Sequence, residues 1–347
     1  IALFASQAIS VAFYIIAFAQ AFRPLMLRLG EYAGVSLEDP RIVSLPALAL
    51  LALLVVSKGA DVGMKLLYVV VAVLFLSLAL FFFGQPVAAP AEGFDVLVRH
   101  VENPDSFFLV FAICFPAFTG MTAGVGLSGD LRNPRRSIPL GTLSATIVGM
   151  LTYVALAYKL ANSASPELLA TDELVMAKIA LWGPIIPIGL ACATVSSALG
   201  SALVAPRTLQ ALANDQIFPF RRLGGWLAEC RGPTSEPRNA SIVVFAMATV
   251  FVALGDINIV AQVISMFFMV TYGSICLISF LEHFAADPSY RPVFRSRWYI
   301  SAFGALACIW LMFRMSAGYA LLSIVLMFGL YIWVGHSNED KRGLAQI

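Results

Sequence analysis

Residues 105–136 read DSFFLVFAICFPAFTGMTAGVGLSGDLRNPRR and decide the fold. Between Asp105 and Asp130 the stretch has no charged residue, so it is long and apolar enough to span a membrane. Pro116 removes a backbone donor, and Gly120 is the first of four closely spaced glycines, all of which weaken a continuous helix. A membrane span with these residues at its centre is predicted to be interrupted.

An interrupted span offers two seats of opposite charge preference. The first half-helix ends near Pro116 with free carbonyls, which attract a cation. A second half-helix begins after Thr119, and the N–H groups of Gly120, Met121 and Thr122 form a nest for an anion. Free backbone groups are tolerated inside a membrane only beside protein or a wet cavity. The alternative is that the small residues only allow close helix packing around a proline kink, and the residues alone leave both open.

The overall composition is that of an integral membrane protein. Hydrophobic residues make up 60% of the 347, charged residues only 12%, and the mean hydropathy is +0.87. The formal net charge of +2 gives no support to a nucleic-acid partner. The five cysteines lack metal-binding spacing, and no hydrolase, metalloprotease or P-loop motif is present. The sequence therefore predicts neither an enzyme nor a cofactor.

Hydropathy and loop signals predict an all-α, multi-pass chain with about ten spans. Lysine and arginine collect in alternate loops, which places the first span from inside to outside. No charged side chain or histidine lies deep inside a span, so backbone and hydroxyl groups must select the substrate. The predicted spans are residues 1–22, 42–57, 62–84, 107–127, 138–162, 179–204, 240–255, 258–281, 299–314 and 316–335.

The sixth span carries a second polar pattern. Ala193, Ser196 and Ser197 stand at i, i+3 and i+4, on one face of a helix. Hard oxygen ligands without a carboxylate suit a monovalent cation, but serines in membrane helices also bond to their own helix carbonyls, and both interpretations stay open. The amphipathic stretch 207–218 that follows is predicted to form a separate interfacial helix.

Two stretches resemble the cation-chloride cotransporters. Residues 115–142, FPAFTGMTAGVGLSGDLRNPRRSIPLGT, resemble the sixth helix and following loop of that family, and residues 193–219, ATVSSALGSALVAPRTLQALANDQIFP, resemble its eighth helix. Weaker similarity runs from Tyr14 to about residue 335. The resemblance implies the amino acid-polyamine-organocation superfamily and a LeuT-like core of two inverted five-helix repeats with two additional helices.

The resemblance also implies a domain division. Residues 1–347 form one transmembrane transporter domain, with 1–84 as the remainder of the first repeat, 107–281 as the second repeat and 299–335 as two peripheral helices. The spans correspond to family helices 3 to 12. A prokaryotic-type member lacking the first two helices and the large C-terminal domain is therefore expected, and the first helix normally supplies further ligands.

The site residues implied by the resemblance fall into three sets. The only metal ions that these residues are expected to bind are monovalent cations. They are Tyr14, Pro116 and Thr119 for potassium, Gly120, Met121, Thr122 and Tyr272 for chloride, and Ala193, Ser196 and Ser197 for sodium.

The preferred interpretation is a secondary active symporter that couples chloride to sodium, potassium or both by alternating access. The alternatives are an amino-acid permease of the same superfamily and a non-transporting membrane protein that regulates another carrier. The expected partners are inorganic ions and the lipid bilayer of the plasma (inner) membrane, with a homodimer through the peripheral helices and no nucleic acid.

Overall fold

The computed structural model describes residues 1–37, 39–58, 60–87, 104–122, 131–218, 220–230, 237–285 and 297–337, and every regular element in these ranges is helical. The α-helices are α1 Ala2–Ala21, α2 Arg23–Ala33, α3 Arg41–Lys58, α4 Ala60–Phe82, α5 Phe107–Cys114, α6 Pro134–Ser163, α7 Pro166–Thr171, α8 Val175–Ile179, α9 Ile185–Asn214, α10 Arg221–Ala228, α11 Arg238–Leu254, α12 Ile257–Ala285, α13 Trp298–Met315 and α14 Ala317–Ser337. A 3₁₀ turn, Phe115–Phe118, follows α5 directly.

Each of the ten predicted spans overlaps a helix in the described part of the chain. In the described part of the chain, α1, α6, α9, α12 and α13 are long and apolar enough to cross a membrane, and α3, α4, α5 with its 3₁₀ turn, α11 and α14 contain shorter apolar helices. The short helices α2, α7 and α8 were not predicted. The prediction of an all-α, multi-pass architecture therefore agrees with the structure.

The sixth span differs from its prediction at both ends. It was expected at residues 179–204, but α9 begins at Ile185, after the turn at Pro184, and continues to Asn214. The separate interfacial helix predicted for 207–218 is wrong. The segment up to Asn214 is instead the last part of α9. Its apolar residues Leu209 and Ala213 pack against Leu227 of α10.

Helix α1 lies at the centre of the bundle and packs against α9, α12, α11 and α3. Its Ala8 and Ala12 are fully buried, as are Ala198 and Ala202 of α9. Because lipid provides little hydrophobic drive for helix association, such small residues stabilise the bundle by letting helices approach closely. Packing on several sides holds Gln7 and Tyr14 of α1 in fixed positions. Helix α6 is peripheral, since no residue in its most apolar stretch is buried.

A close helix contact depends on Gly189 of α9. A Cβ atom there would lie 2.5 Å from the Ser77 Oγ and 2.7 Å from its Cβ, on α4. At Gly200 of the same helix, no atom would lie within 4 Å of an added Cβ. Comparing an alanine substitution at Gly189 with one at Gly200 therefore separates the effect of packing from the effect of helix propensity.

We expect Gly189→Ala to lower the melting temperature of the purified protein, because overpacking costs about 1–3 kcal/mol. Gly200→Ala is the matched control and should be neutral or stabilising, since alanine favours a helix over glycine by about 1 kcal/mol. Thermal unfolding in detergent, followed by size-exclusion chromatography, measures both. Equal melting temperatures for the two variants would contradict the α4–α9 contact.

Candidate functional site

The fourth predicted span is interrupted, as expected from its proline and glycines. Helix α5 ends at Cys114, and the 3₁₀ turn runs to Phe118. Thr119 is extended, with φ −92° and ψ 176°, and Gly120 has a φ of +117°, which favours glycine. Met121 and Thr122 are helical again. The three later glycines of this stretch lie outside the described residues.

A serine from α12 compensates for the hydrogen bond that Pro116 removes. In a continuous helix the Ala112 carbonyl accepts from the N–H of residue 116, which proline lacks. The Ser265 Oγ lies 2.8 Å from that carbonyl and 2.7 Å from the carbonyl of Ala261 in its own helix. Ser265 is fully buried, so water does not replace this bond. Through it α12 is fixed against the first half of the broken span.

Two carbonyls of the 3₁₀ turn, those of Pro116 and Ala117, also accept hydrogen bonds from hydroxyl groups. The Pro116 carbonyl accepts from the Thr119 N–H at 3.2 Å and from its Oγ1 at 2.7 Å. The Ala117 carbonyl accepts from the Tyr153 hydroxyl of α6 at 3.0 Å. The Tyr14 side chain interacts with Thr119 from α1. Three residues predicted to bind potassium, Tyr14, Pro116 and Thr119, are therefore brought together.

The donor side of the break faces α12 and α1. The Gly120 N–H donates to the Tyr272 hydroxyl at 3.4 Å, and the buried Gln7 amide donates to the Thr122 Oγ1 at 3.2 Å. As the first residues of a resumed helix, Met121 and Thr122 have N–H groups that no intrahelical carbonyl can accept. Gly120, Met121, Thr122 and Tyr272, predicted to bind chloride, thus form one continuous patch.

The three tyrosines of this site come from three different helices. Tyr14 and Tyr272 pack against the same core, while the Tyr272 ring stacks on Phe268 at 5.7 Å and meets Phe115 edge-on at 6.5 Å. Tyr153, Ser265 and Gln7 were not predicted as site residues. Pro116 indicates that the carbonyl four residues earlier needs a partner, but nothing in the local pattern names the donor.

The predicted sodium set lies apart, on α9. Ala193, Ser196 and Ser197 are half-buried, and in the described part of the chain neither serine hydroxyl has a hydrogen-bond partner. Between them and Ala193, Thr194 does bond back to its own helix, to the Leu190 carbonyl at 2.8 Å. The alternative of back-bonding therefore describes Thr194 but neither serine. No described contact joins these serines to the break, although Val195 packs in the same core as Tyr14 and Tyr272.

A cavity of about 620 Å³ lies between the break and α6. The described residues that line it are uncharged: Ala117, Phe118, Thr119, Gly120, Met121, Leu131, Ser137, Ile138, Gly141, Thr142, Ala145, Thr146, Gly149, Met150 and Tyr153. On the α6 wall, the Thr142 and Thr146 hydroxyls donate to carbonyls of their own helix at 2.7 Å. The backbone of the break is therefore the main polar surface of the cavity. Among the described residues, no cluster of three or more His, Cys, Asp or Glu side chains could hold a metal.

Charged pairs lie at the predicted outer ends of the helices. Arg23 and Glu173 form an ion pair at 2.6 Å, and Lys178 and Asp172 form another at 2.8 Å. The hydrogen bond from Lys178 lowers the pKa of the Asp172 carboxyl below its ordinary value, and the Leu174 N–H adds to this effect. Both pairs are solvent-exposed, so each contributes little to stability.

Comparisons with known proteins show the family to which this chain is similar. The family model described as amino acid permease matches residues 50–345. The chain is 30% identical to solute carrier family 12 member 2 of Mus musculus over 96% of this chain and 32% of that protein. It is 29% identical to solute carrier family 12 member 1 of Homo sapiens over 96% of this chain and 35% of that protein. The chain spans about a third of the length of the curated relatives it matches.

We expect Ser265→Ala to destabilise the protein by about 1–3 kcal/mol, because the buried Ala112 carbonyl loses its donor. The matched control is Ser10→Ala, a fully buried serine of α1 that donates only within its own helix, to the Ser6 carbonyl at 2.8 Å. Its loss should be smaller, since the Ser6 carbonyl also belongs to a continuous helix. Thermal unfolding compares the two, and an equal or larger loss for Ser10→Ala would refute the role given to Ser265.

Proposed function

Because the chain belongs to the amino acid permease family and is similar to its cation-chloride cotransporter-like members, we propose that it is a secondary active cation-chloride symporter. Family membership shows the LeuT-like membrane fold, as predicted, and supports a role in transport. The proposal adds the substrates, which are chloride with sodium, potassium or both, moved by alternating access. We also propose the plasma (inner) membrane as its location.

The observation that carries this proposal is the pair of opposite seats at one break. The Pro116 carbonyl and the Thr119 and Tyr14 hydroxyls offer oxygen atoms to a cation. The N–H groups from Gly120 onward, beside the Tyr272 hydroxyl, suit an anion. Among the described residues, no charged side chain lines the adjoining cavity, so the described groups that face both ions are neutral dipoles. Each ion lowers the cost of placing the other there, which favours transport of the two together.

A second candidate is transport of amino acids, which the description of the matching family names. A cavity of about 620 Å³ is large enough for a small organic substrate. On this alternative the N–H groups after Gly120 bind a carboxylate in place of chloride. The chemistry of the anion seat is shared by both candidates, so only the substrate distinguishes them.

The domain division and the assembly remain proposals. We propose that residues 1–347 form one transporter domain, with 1–84 and 107–281 belonging to inverted repeats. Helices α13 and α14 present exposed apolar side chains, including Phe303, Trp310 and Phe328. This surface is the one we propose for a homodimer.

Uptake of rubidium, a tracer for potassium, tests the substrate proposal in proteoliposomes of the full-length protein. We expect uptake that falls to background when gluconate replaces chloride, because the two seats need both charges. Amino-acid uptake that persists in gluconate would establish the second candidate instead. Absence of both fluxes, together with copurification of another carrier, would support a non-transporting regulatory protein.

We expect Ser197→Ala to raise the half-saturating sodium concentration about tenfold, the change for about 1.4 kcal/mol of lost cation binding. The half-saturating potassium concentration should change less, because the potassium set lies at the break. Thr194→Val is the control, since the Thr194 hydroxyl is already bonded within α9. Equal loss of sodium and potassium dependence in Ser197→Ala would indicate folding damage and remove Ser197 from the site.

A further inference from the structure

Tyr153 of α6 contacts the break through both its hydroxyl group and its ring. Its hydroxyl donates to the Ala117 carbonyl at 3.0 Å, and its ring packs against Phe118 at a centroid distance of 4.5 Å. Both partners belong to the 3₁₀ turn of the break. Helix α6 contacts this turn although it is otherwise peripheral, so Tyr153 connects the wall of the cavity to the interrupted span.

The hydrogen-bond pattern of a helix shows what this contact replaces. In a continuous α-helix the Ala117 carbonyl would accept from the N–H four residues later, that of Met121. In the structure the Tyr153 hydroxyl takes that position. The preceding carbonyl, of Pro116, is likewise occupied by the Thr119 N–H and hydroxyl instead of the Gly120 N–H. The two donors that lose helical acceptors, Gly120 and Met121, are the first two groups of the anion seat.

The N–H groups of Gly120 and Met121 differ in their hydrogen bonding. The Gly120 N–H is directed to the Tyr272 hydroxyl, 3.4 Å away. Met121 lines the cavity, and among the described residues no acceptor is bonded to its N–H. An N–H at the first turn of a helix is a favourable anion donor.

We propose that Tyr153 is a positioning residue for the anion seat, which occupies the Ala117 carbonyl so that the Met121 N–H stays available to chloride. The proposal rests on the proposed cation-chloride function and deepens it. Without the hydroxyl, the Ala117 carbonyl regains the Met121 N–H as its partner, and the anion competes with a helix hydrogen bond. Tyr153 itself does not contact the ion.

The test is chloride-dependent thermal stabilisation of the purified full-length protein, with gluconate as the replacement anion. We expect Tyr153→Phe, which keeps the ring against Phe118, to raise the half-saturating chloride concentration about tenfold, equal to about 1.4 kcal/mol. Its melting temperature in gluconate should stay near that of the unaltered protein, because a helix bond replaces the lost one. Tyr158→Phe, an exposed tyrosine of the same helix, is the control and should leave chloride binding unchanged.

A second variant connects the effect to one backbone group. Met121→Pro removes the N–H at the first position of the resumed helix, where proline is well tolerated. It should weaken chloride binding, and Tyr153→Phe should add no further loss in that background. Additive losses, or unchanged chloride binding in Tyr153→Phe alone, would overturn the role of Tyr153 while leaving the symporter proposal intact. Absence of stabilisation by chloride in the unaltered protein would overturn both.

Discussion

The structure depends on one constraint, the need to satisfy backbone groups released in the middle of a membrane span. Pro116 cannot donate to the Ala112 carbonyl, and the extended Thr119 with Gly120 at positive φ stops the helical pattern. Inside a bilayer each unpaired group costs several kcal/mol. Side chains from two helices satisfy these backbone groups: Ser265 and Tyr272 of α12 and Tyr153 of α6. The break is therefore held by its neighbours and does not depend on local sequence alone.

The packing of the bundle explains how these side chains reach the break. Helix α1 is buried against α9, α11 and α12 through small residues such as Ala8, Ala12 and Ala198. Close approach leaves little freedom for Gln7 and Tyr14, which extend from α1 toward Thr122 and Thr119. In the same core, Phe115 and Phe268 pack around the Tyr272 ring. The positions of the polar groups are thus a consequence of apolar packing.

The fold was predictable from the sequence to a large extent, and the site only in part. Apolar length located the spans, and Pro116 with Gly120 located the break, because both effects are local. The donors to Ala112 and Ala117 were not predictable in this way, since Ser265 and Tyr153 lie 153 and 36 residues away in the chain. The prediction of where α9 ends was wrong for a related reason. The sequence pattern of an amphipathic helix is the same whether its apolar face lies on the membrane surface or packs against a second helix. Here it packs against a second helix, through Leu209 and Leu227.

A site made of neutral dipoles also explains why cation and anion would depend on one another. The carbonyls before the break and the N–H groups after it belong to one backbone segment, and the hydroxyls of Thr119 and Tyr272 lie between them. A full charge on either seat is poorly compensated by dipoles alone in a medium of low dielectric constant. On the proposed function, a second ion of opposite sign would supply the missing compensation, and the part of the cavity wall that the structure describes contains no charged side chain. A net-neutral load has a further consequence, because it can cross between the two faces of the membrane without working against the membrane potential. On the proposed function, the neutral side chains of the described cavity wall and the paired seats would therefore act together in moving ions through an apolar bundle.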